Sequence, residues 1–153
     1  MTDVISSQPS LVYVNGPVFL SRRVVPIMIA RSGGSIVNTA SAAGIGGGAA
    51  GAAYTISKHA LVGLTRSTAY RYAPDGIRCN AMACGGVETS IVQSVDATKM
   101  DMAGAARYGA YQALIPAMLK PLEIAQLALF LASDEAKHVI GAIIPVDAGW
   151  TAA

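Results

Sequence analysis

The sequence predicts an α/β fold built on a parallel sheet of about three strands with flanking helices. Short apolar runs at Ser35–Thr39, Ile77–Met82 and Ile143–Asp147 alternate with longer segments of helical character, and that alternation implies parallel pairing through right-handed crossovers. Composition agrees. Apolar residues make up 53% of the chain and charged residues 13%, against roughly 25% charged in an ordinary soluble domain. A sheet covered on both faces by apolar helices accounts for that balance. No internal repeat and no linker divides the 153 residues, so residues 1–153 are expected to form a single domain.

The elements follow in order. Met1–Ser10 holds neither a strand run nor a glycine and is expected to be irregular. Leu11–Ala30 has Val18, Phe19, Val24, Val25 and Met28 at helical spacing, with Gly16-Pro17 marking a start or kink and Pro26 a second irregularity. Ser32-Gly33-Gly34 ends that helix. Ser35–Thr39 is a short buried strand, and Ala40–Gly51 a Gly/Ala loop. Ala52–Tyr72 reads as a long helix stopped by Pro74-Asp75-Gly76, with a small-residue stripe of Ala53, Ser57, Ala60 and Leu64. Ile77–Met82 is the second strand. Ala83–Lys120 is expected to be irregular, with helical tendency from Met100 to Ala113. Leu122–Ser133 is an amphipathic helix, and Ile143–Asp147 the third strand.

Several function classes fall away. A membrane span needs about 20 uninterrupted apolar residues; the best run, Val24–Ala30, is far shorter and is bounded by Arg23 and Arg31. The net charge of +2 carries no basic cluster and no interleaved aromatics, which argues against nucleic acid. Cys79 and Cys84 fall in or beside a buried strand and have no metal-ligand spacing; His59 and His138 are isolated. No metal site and no disulfide is therefore expected. With no signal peptide evident, a cytoplasmic location is expected.

The chemistry centres on Tyr54 and Lys58. At i and i+4 on a helix they share a face. A free phenol titrates near ~10, and an adjacent ammonium is expected to pull that value down. Ser41, at the end of the preceding strand, is placed to hydrogen-bond the same substrate oxygen. A carbonyl held by Ser41 and Tyr54 is set up for hydride addition, with Tyr54 supplying the proton. Gly46-Gly47-Gly48-Ala49-Ala50-Gly51 matches G-x-G-x-x-G literally, but the next acidic residue is Asp75, in a turn after a helix. The dinucleotide fingerprint wants an acid at the end of a second strand, so this segment is read as a loop on the substrate side.

The flanking blocks run in a fixed order: Gly34-Ser35-Ile36-Val37-Asn38-Thr39-Ala40-Ser41, Gly76-Ile77-Arg78-Cys79-Asn80-Ala81, Gly85-Gly86-Val87-Glu88-Thr89, Pro121–Ala125, Phe130–Asp134 and Val146–Trp150. From Leu11 to Thr151 the chain closely resembles the C-terminal part of the short-chain dehydrogenase/reductase family. The resemblance implies part of a doubly wound Rossmann-type sheet, with the N-terminal half and its Gly-rich pyrophosphate turn absent. It implies NAD- or NADP-dependent hydride transfer between an alcohol and a ketone, the choice of cofactor being undetermined. Ser41 steadies the substrate oxygen, Tyr54 is the acid/base, and Lys58 lowers its pKa and bonds the nicotinamide ribose. Gly85, Val87 and Thr89 face the nicotinamide, with Cys84 where the family has a proline.

Three further expectations come from the resemblance. The family's catalytic asparagine position falls on Tyr13 when counted from Pro26 and Met28, while a gap in the alignment would restore Asn15. Asn38 bonds to a strand outside this chain in the family, and so is expected here to lack a partner. The helix Ala52–Tyr72 belongs to a common dimer interface, so a homo-oligomer is expected. The substrate is expected to be a small apolar carbonyl compound or alcohol, from the Ala, Met and Leu content of Met100–Met118. The alternative is a catalytically silent piece that acts only by self-association or with a partner.

Overall fold

The computed structural model describes residues 11–90 and 102–152; the irregular stretch expected at 1–10 and the start of the helical tendency at Met100 lie outside them. The chain enters through a wide, π-type turn at Leu11–Asn15 that runs straight into helix α1 (Gly16–Ala30). The expected single helix over Leu11–Ala30 is thus two geometries. Pro17 sits in the first turn of α1, where its missing N–H leaves nothing unpaired, and Pro26 is tolerated inside the helix. Strand β1 is Gly34–Thr39, helix α2 is Ala52–Tyr72, and strand β2 is Ile77–Cys84. Helix α3 is Met102–Gln112, helix α4 is Pro121–Ala132, and strand β3 is Ile143–Val146.

The three strands form one parallel sheet in the order β1-β2-β3. Asn38 stands beside Ala81 and Thr39 beside Met82; Met82 pairs with Ile144 and Cys84 with Val146. β2 is central and buried along its whole length, whereas β1 is only partly covered, having no strand on its outer side among the described residues.

Alternation along β2 sends successive side chains to opposite faces. Ala81 packs with Ala40 and with Leu61 and Val62 of α2. Met82 and Cys84 pack on the other face with Leu131 of α4 and Ala136. The sheet is therefore sandwiched between α2 and α4, with α1 beside α2 across a cleft lined by Val18, Arg22, Val25, Leu64, Thr68 and Arg71. On α2 the buried face is Ser57, Leu61, Val62, Thr65, Thr68 and Ala69. Ser57 belongs to that inward face and not to an outer small-residue stripe; its hydroxyl donates to the Tyr54 carbonyl at 2.7 Å.

Buried polar groups lock the layers. Arg78, on β2, is buried and donates to the carbonyls of Leu131 (2.7 Å) and Ser133 (2.9 Å), closing the C-terminus of α4. Ser35, its register partner on β1, donates to the same Leu131 carbonyl at 2.9 Å. Asn80 donates to the Val139 carbonyl and accepts from the Ala142 amide, pinning the entry to β3. The expectation for Asn38 is corrected. Its Nδ2 donates to Thr65 Oγ1 at 2.9 Å and approaches Cys79 Sγ at 3.7 Å, because α2, which this chain supplies itself, offers a hydroxyl on the face that Asn38 points to. Cys79 and Cys84 are both free and buried. Burial pushes the Cys79 thiol up to about 11, the Thr65 hydroxyl working against it.

The segment after β2 is more ordered than expected. Gly85 donates to the Val146 carbonyl at 3.0 Å, and Val87 forms an isolated parallel bridge with Leu119. Among the described residues no helix is long and apolar enough to cross a membrane.

Candidate active site

The C-terminal ends of β1 and β2 and the first turns of α2 meet at one cavity of about 250 Å³. β1 ends at Thr39; the chain then crosses through Ala40 to Ser41, which caps a short turn at Ala42–Gly44 by accepting from the Ala43 amide at 3.1 Å. Ser41 thus stands two residues beyond the strand and not on its last residue. The turn lies against α2 so closely that a side chain at Gly44 would come within 2.9 Å of the Lys58 carbonyl oxygen. That contact sets the approach of Ser41 to the helix carrying Tyr54 and Lys58.

Tyr54 lies in the first turn of α2 and Lys58 one turn on. The Ser41 hydroxyl and the Tyr54 phenol line the same cavity, and the Ser41 side chain favours the ionised phenol. Lys58 Nζ donates to the Thr39 carbonyl at 2.9 Å and lies 5.5 Å from the centre of the Tyr54 ring. Across the cavity stand Cys84, Gly85, Val87 and Thr89, so all of Ser41, Tyr54, Lys58, Gly85, Val87 and Thr89 line the same space. Gly85 presses on the residue after β3: an added Cβ would meet Asp147 Cβ at 2.6 Å. The Gly85–Thr89 segment is held from behind by Leu119, whose amide donates to the Gly86 carbonyl and whose carbonyl accepts from the Glu88 amide, each at 2.9 Å.

The electrostatics differ from the simple expectation for a Tyr–Lys pair. Burial raises the Tyr54 phenol; the Ser41 side chain opposes this, and Tyr13 and Cys84 add to the rise. Burial also lowers the Lys58 ammonium, with Cys84 opposing. The expected depression of the phenol by the ammonium is not realised: burial outweighs it, and Lys58 Nζ is bonded to the Thr39 carbonyl. Tyr54 is consequently a neutral phenol, a proton donor rather than a proton acceptor, in the neutral range.

Tyr13 reaches this cavity; Asn15 does not line it. The Tyr13 ring meets the Tyr54 ring edge-on, with centroids 6.3 Å apart and planes at 76°. None of Gly46–Gly51 lines the cavity. That loop packs instead against α3, with Gln112 Nε2 donating to the Ala49 carbonyl at 3.2 Å. Tyr111 stacks on Trp150 at 4.8 Å, and Trp150 Nε1 donates to the Tyr111 carbonyl. Sequence reasoning placed Cys84 in the loop that lines this space but did not single out Thr39 or the Tyr111–Trp150 pair. For the aromatic pair, far apart in sequence, there was no signal. Among the described residues no group of three or more His, Cys, Asp or Glu is placed to hold a metal.

Residues 10–151 match a family model described as enoyl-(acyl carrier protein) reductase. The chain is 44% identical over 163 residues to the short-chain dehydrogenase/reductase cdmF of Talaromyces verruculosus, covering 99% of this chain and 61% of that protein. It thus spans about three fifths of the length of that curated relative. Among solved structures it is similar to an NAD(P)-dependent gluconate 5-dehydrogenase candidate from Beutenbergia cavernae with NADP bound at low occupancy: TM-score 0.78, 38% identity, covering 94% of this chain and 56% of the other. A 4-hydroxyisoleucine dehydrogenase complexed with NADH and succinate gives a TM-score of 0.75 at 31% identity, covering 93% and 57%.

Proposed function

Because the chain belongs to the short-chain dehydrogenase/reductase family, we propose that it serves NAD- or NADP-dependent hydride transfer between an alcohol and a ketone. One observation carries the reading: Ser41, Tyr54 and Lys58 converge on a single cavity whose far wall is Gly85, Val87 and Thr89. The residues fit the nicotinamide end of the cofactor. The space of about 250 Å³ suits a ring and its substrate rather than a whole dinucleotide, and Gly85 adds no side chain of its own to the far wall. Tyr54, Lys58, Gly85, Val87 and Thr89 would hold that end, and the bound nicotinamide supplies the hydride.

The chain's own residues do the rest. Ser41 and Tyr54 direct two hydroxyls at one point, which orients a carbonyl oxygen and receives charge as it builds. Tyr54, kept protonated by burial, gives up its proton to that oxygen. Lys58, fixed by the Thr39 carbonyl and set 5.5 Å from the centre of the Tyr54 ring, would hold the nicotinamide ribose beside that phenol. Ala40 and Val87, which line the cavity, supply apolar surface suited to a small apolar carbonyl compound or alcohol.

The test is oxidation of NADH and of NADPH by small cyclic ketones with wild type, Tyr54→Phe and Lys58→Met. Tyr54→Phe keeps the ring and should lower turnover by about 10²-fold; Lys58→Met should lower it as well. Undiminished turnover in Tyr54→Phe would sink the mechanism. A second reading, in which the chain works by association, is favoured by the exposure of Phe19 (59%), Leu20 (67%) and Ile27 (54%) on α1. We propose a homo-oligomer on that ground. Sedimentation velocity over a hundredfold concentration range should show it, and a single monomeric species throughout would refute it.

A further inference from the structure

Tyr13 has no assigned task, and its surroundings give it one. It lies in the π-type turn Leu11–Asn15. Such turns depart from α-helical register and recur at functional sites. Here the departure brings an aromatic ring, 46% exposed, to the edge of Tyr54. Lys58 Nζ lies over this ring too, 5.8 Å from its centre, against 5.5 Å for the Tyr54 ring. Both distances are within the ~6 Å over which a ring face attracts a cation.

The need for that attraction is visible in the cavity wall. Lys58 is half-buried, and burial drives its ammonium toward the neutral form. The groups that face it are the Tyr13 and Tyr54 rings, the Thr39 carbonyl and, from β2, the Cys84 thiol. Among the described residues no carboxylate lines the cavity. The ammonium therefore keeps its charge on one carbonyl and two aromatic faces.

Building on the reductase reading above, we infer that Tyr13 is a positioning residue whose ring clamps the Lys58 ammonium, charged and in place, over the reacting Tyr54. The phenol hydroxyl of Tyr13 is not required for this; the ring face is. The Tyr13 ring also backs the Tyr54 ring edge-on, which restricts the swing of the phenol away from Ser41.

The test uses the full chain with lysine labelled at ¹³Cε, followed by NMR through a pH titration. Lys58→Arg identifies the Lys58 signal among the four lysines. Tyr13→Leu and Tyr13→Met remove the ring while retaining apolar bulk. In both, the Lys58 midpoint should fall by roughly half a pH unit, the size expected for losing a partly exposed cation–π contact. The ε-methylene protons should also lose ring-current shielding. Tyr13→Phe should restore both signals to wild-type values. Turnover by the reductase assay should fall in Leu and Met and recover in Phe, with the loss in kcat and not in KM. A Lys58 titration in the Leu and Met variants indistinguishable from wild type would overturn the inference. So would a Phe variant that behaves like Leu. The titration needs neither cofactor nor substrate, so failure of the proposed chemistry leaves this readout intact and the two failures are separable.

Discussion

Replacing Gly85 with alanine places a Cβ 2.6 Å from Asp147 Cβ and 2.8 Å from Asp147 Cα. Carbon atoms rest at about 3.5–4.0 Å, so one side must retreat by about 1 Å. Neither can do so freely. Gly85 is bonded to the Val146 carbonyl, and the Asp147 carboxylate is held by the amides of Gly149 and Thr151 at 3.0 Å each. Overpacking of this kind costs about 1–3 kcal/mol. With a urea slope of about 1–3 kcal/mol per molar, the unfolding midpoint read by far-UV circular dichroism should fall by about 1 M. Gly86→Ala is the internal control. Its nearest neighbour is Met118 Sδ at 2.7 Å, followed by Ile115 side-chain carbons at 3.3 and 3.4 Å. A thioether on a flexible stem can move away, so its midpoint should fall by less than half as much. The strain at residue 85 also displaces the wall opposite Tyr54, and an error of about 1 Å in a reacting geometry costs on the order of 10²-fold in rate. An alanine at 85 that unfolds with wild type, or no earlier than the alanine at 86, would refute the steric reasoning.

Arg78→Met should cost about 3 kcal/mol, because it removes charge-assisted bonds to the Leu131 and Ser133 carbonyls from a buried site; a urea midpoint within error of wild type would contradict it. Asp147 supplies an acid-sensitive contribution. Burial opposes its ionisation, but the hydroxyl and amide of Thr151 and the amide of Gly149 together hold its carboxyl below the ordinary value of 3.8. A folded-state value below the unfolded one stabilises the fold above the unfolded value, and that stabilisation is lost as pH falls through the folded value. Wild type should therefore lose stability below about pH 4 more steeply than Asp147→Asn, as urea midpoints between pH 6 and pH 2.5 would show; parallel curves would exclude the effect.

Much of the sheet was legible because its signal is local. Ile77–Met82 reads as a buried strand from its own residues, and β2 extends beyond it only by Ala83 and Cys84. The stop at Pro74-Asp75-Gly76 is equally local, with Gly76 at φ +74° just before β2. The π-type turn at Leu11–Asn15 was not legible, since apolar spacing does not distinguish a wide turn from an α-helix. For Asn38 the error had another source. The resemblance supplied a partner outside the chain, while Thr65, two turns beyond Lys58 on α2, was the partner at hand. In the cavity, spacing was enough to bring Tyr54 and Lys58 together, but the sign of the Tyr54 shift was not in the spacing. It depends on how deeply the phenol is buried and on which acceptor the ammonium chooses, and both are set by residues distant in sequence.

The Lys58–Thr39 and Asn38–Thr65 bonds join consecutive residues of β1 to points on α2 separated by two helical turns, about 10 Å. A rod fastened at one point can pivot; fastened at two it cannot. Any rolling of α2 about its own axis would stretch both links in the same sense, and any tilt would stretch one against the other. The helix that presents Tyr54 is thereby held to β1 at two points, against the tilt that would spoil its aim at Ser41.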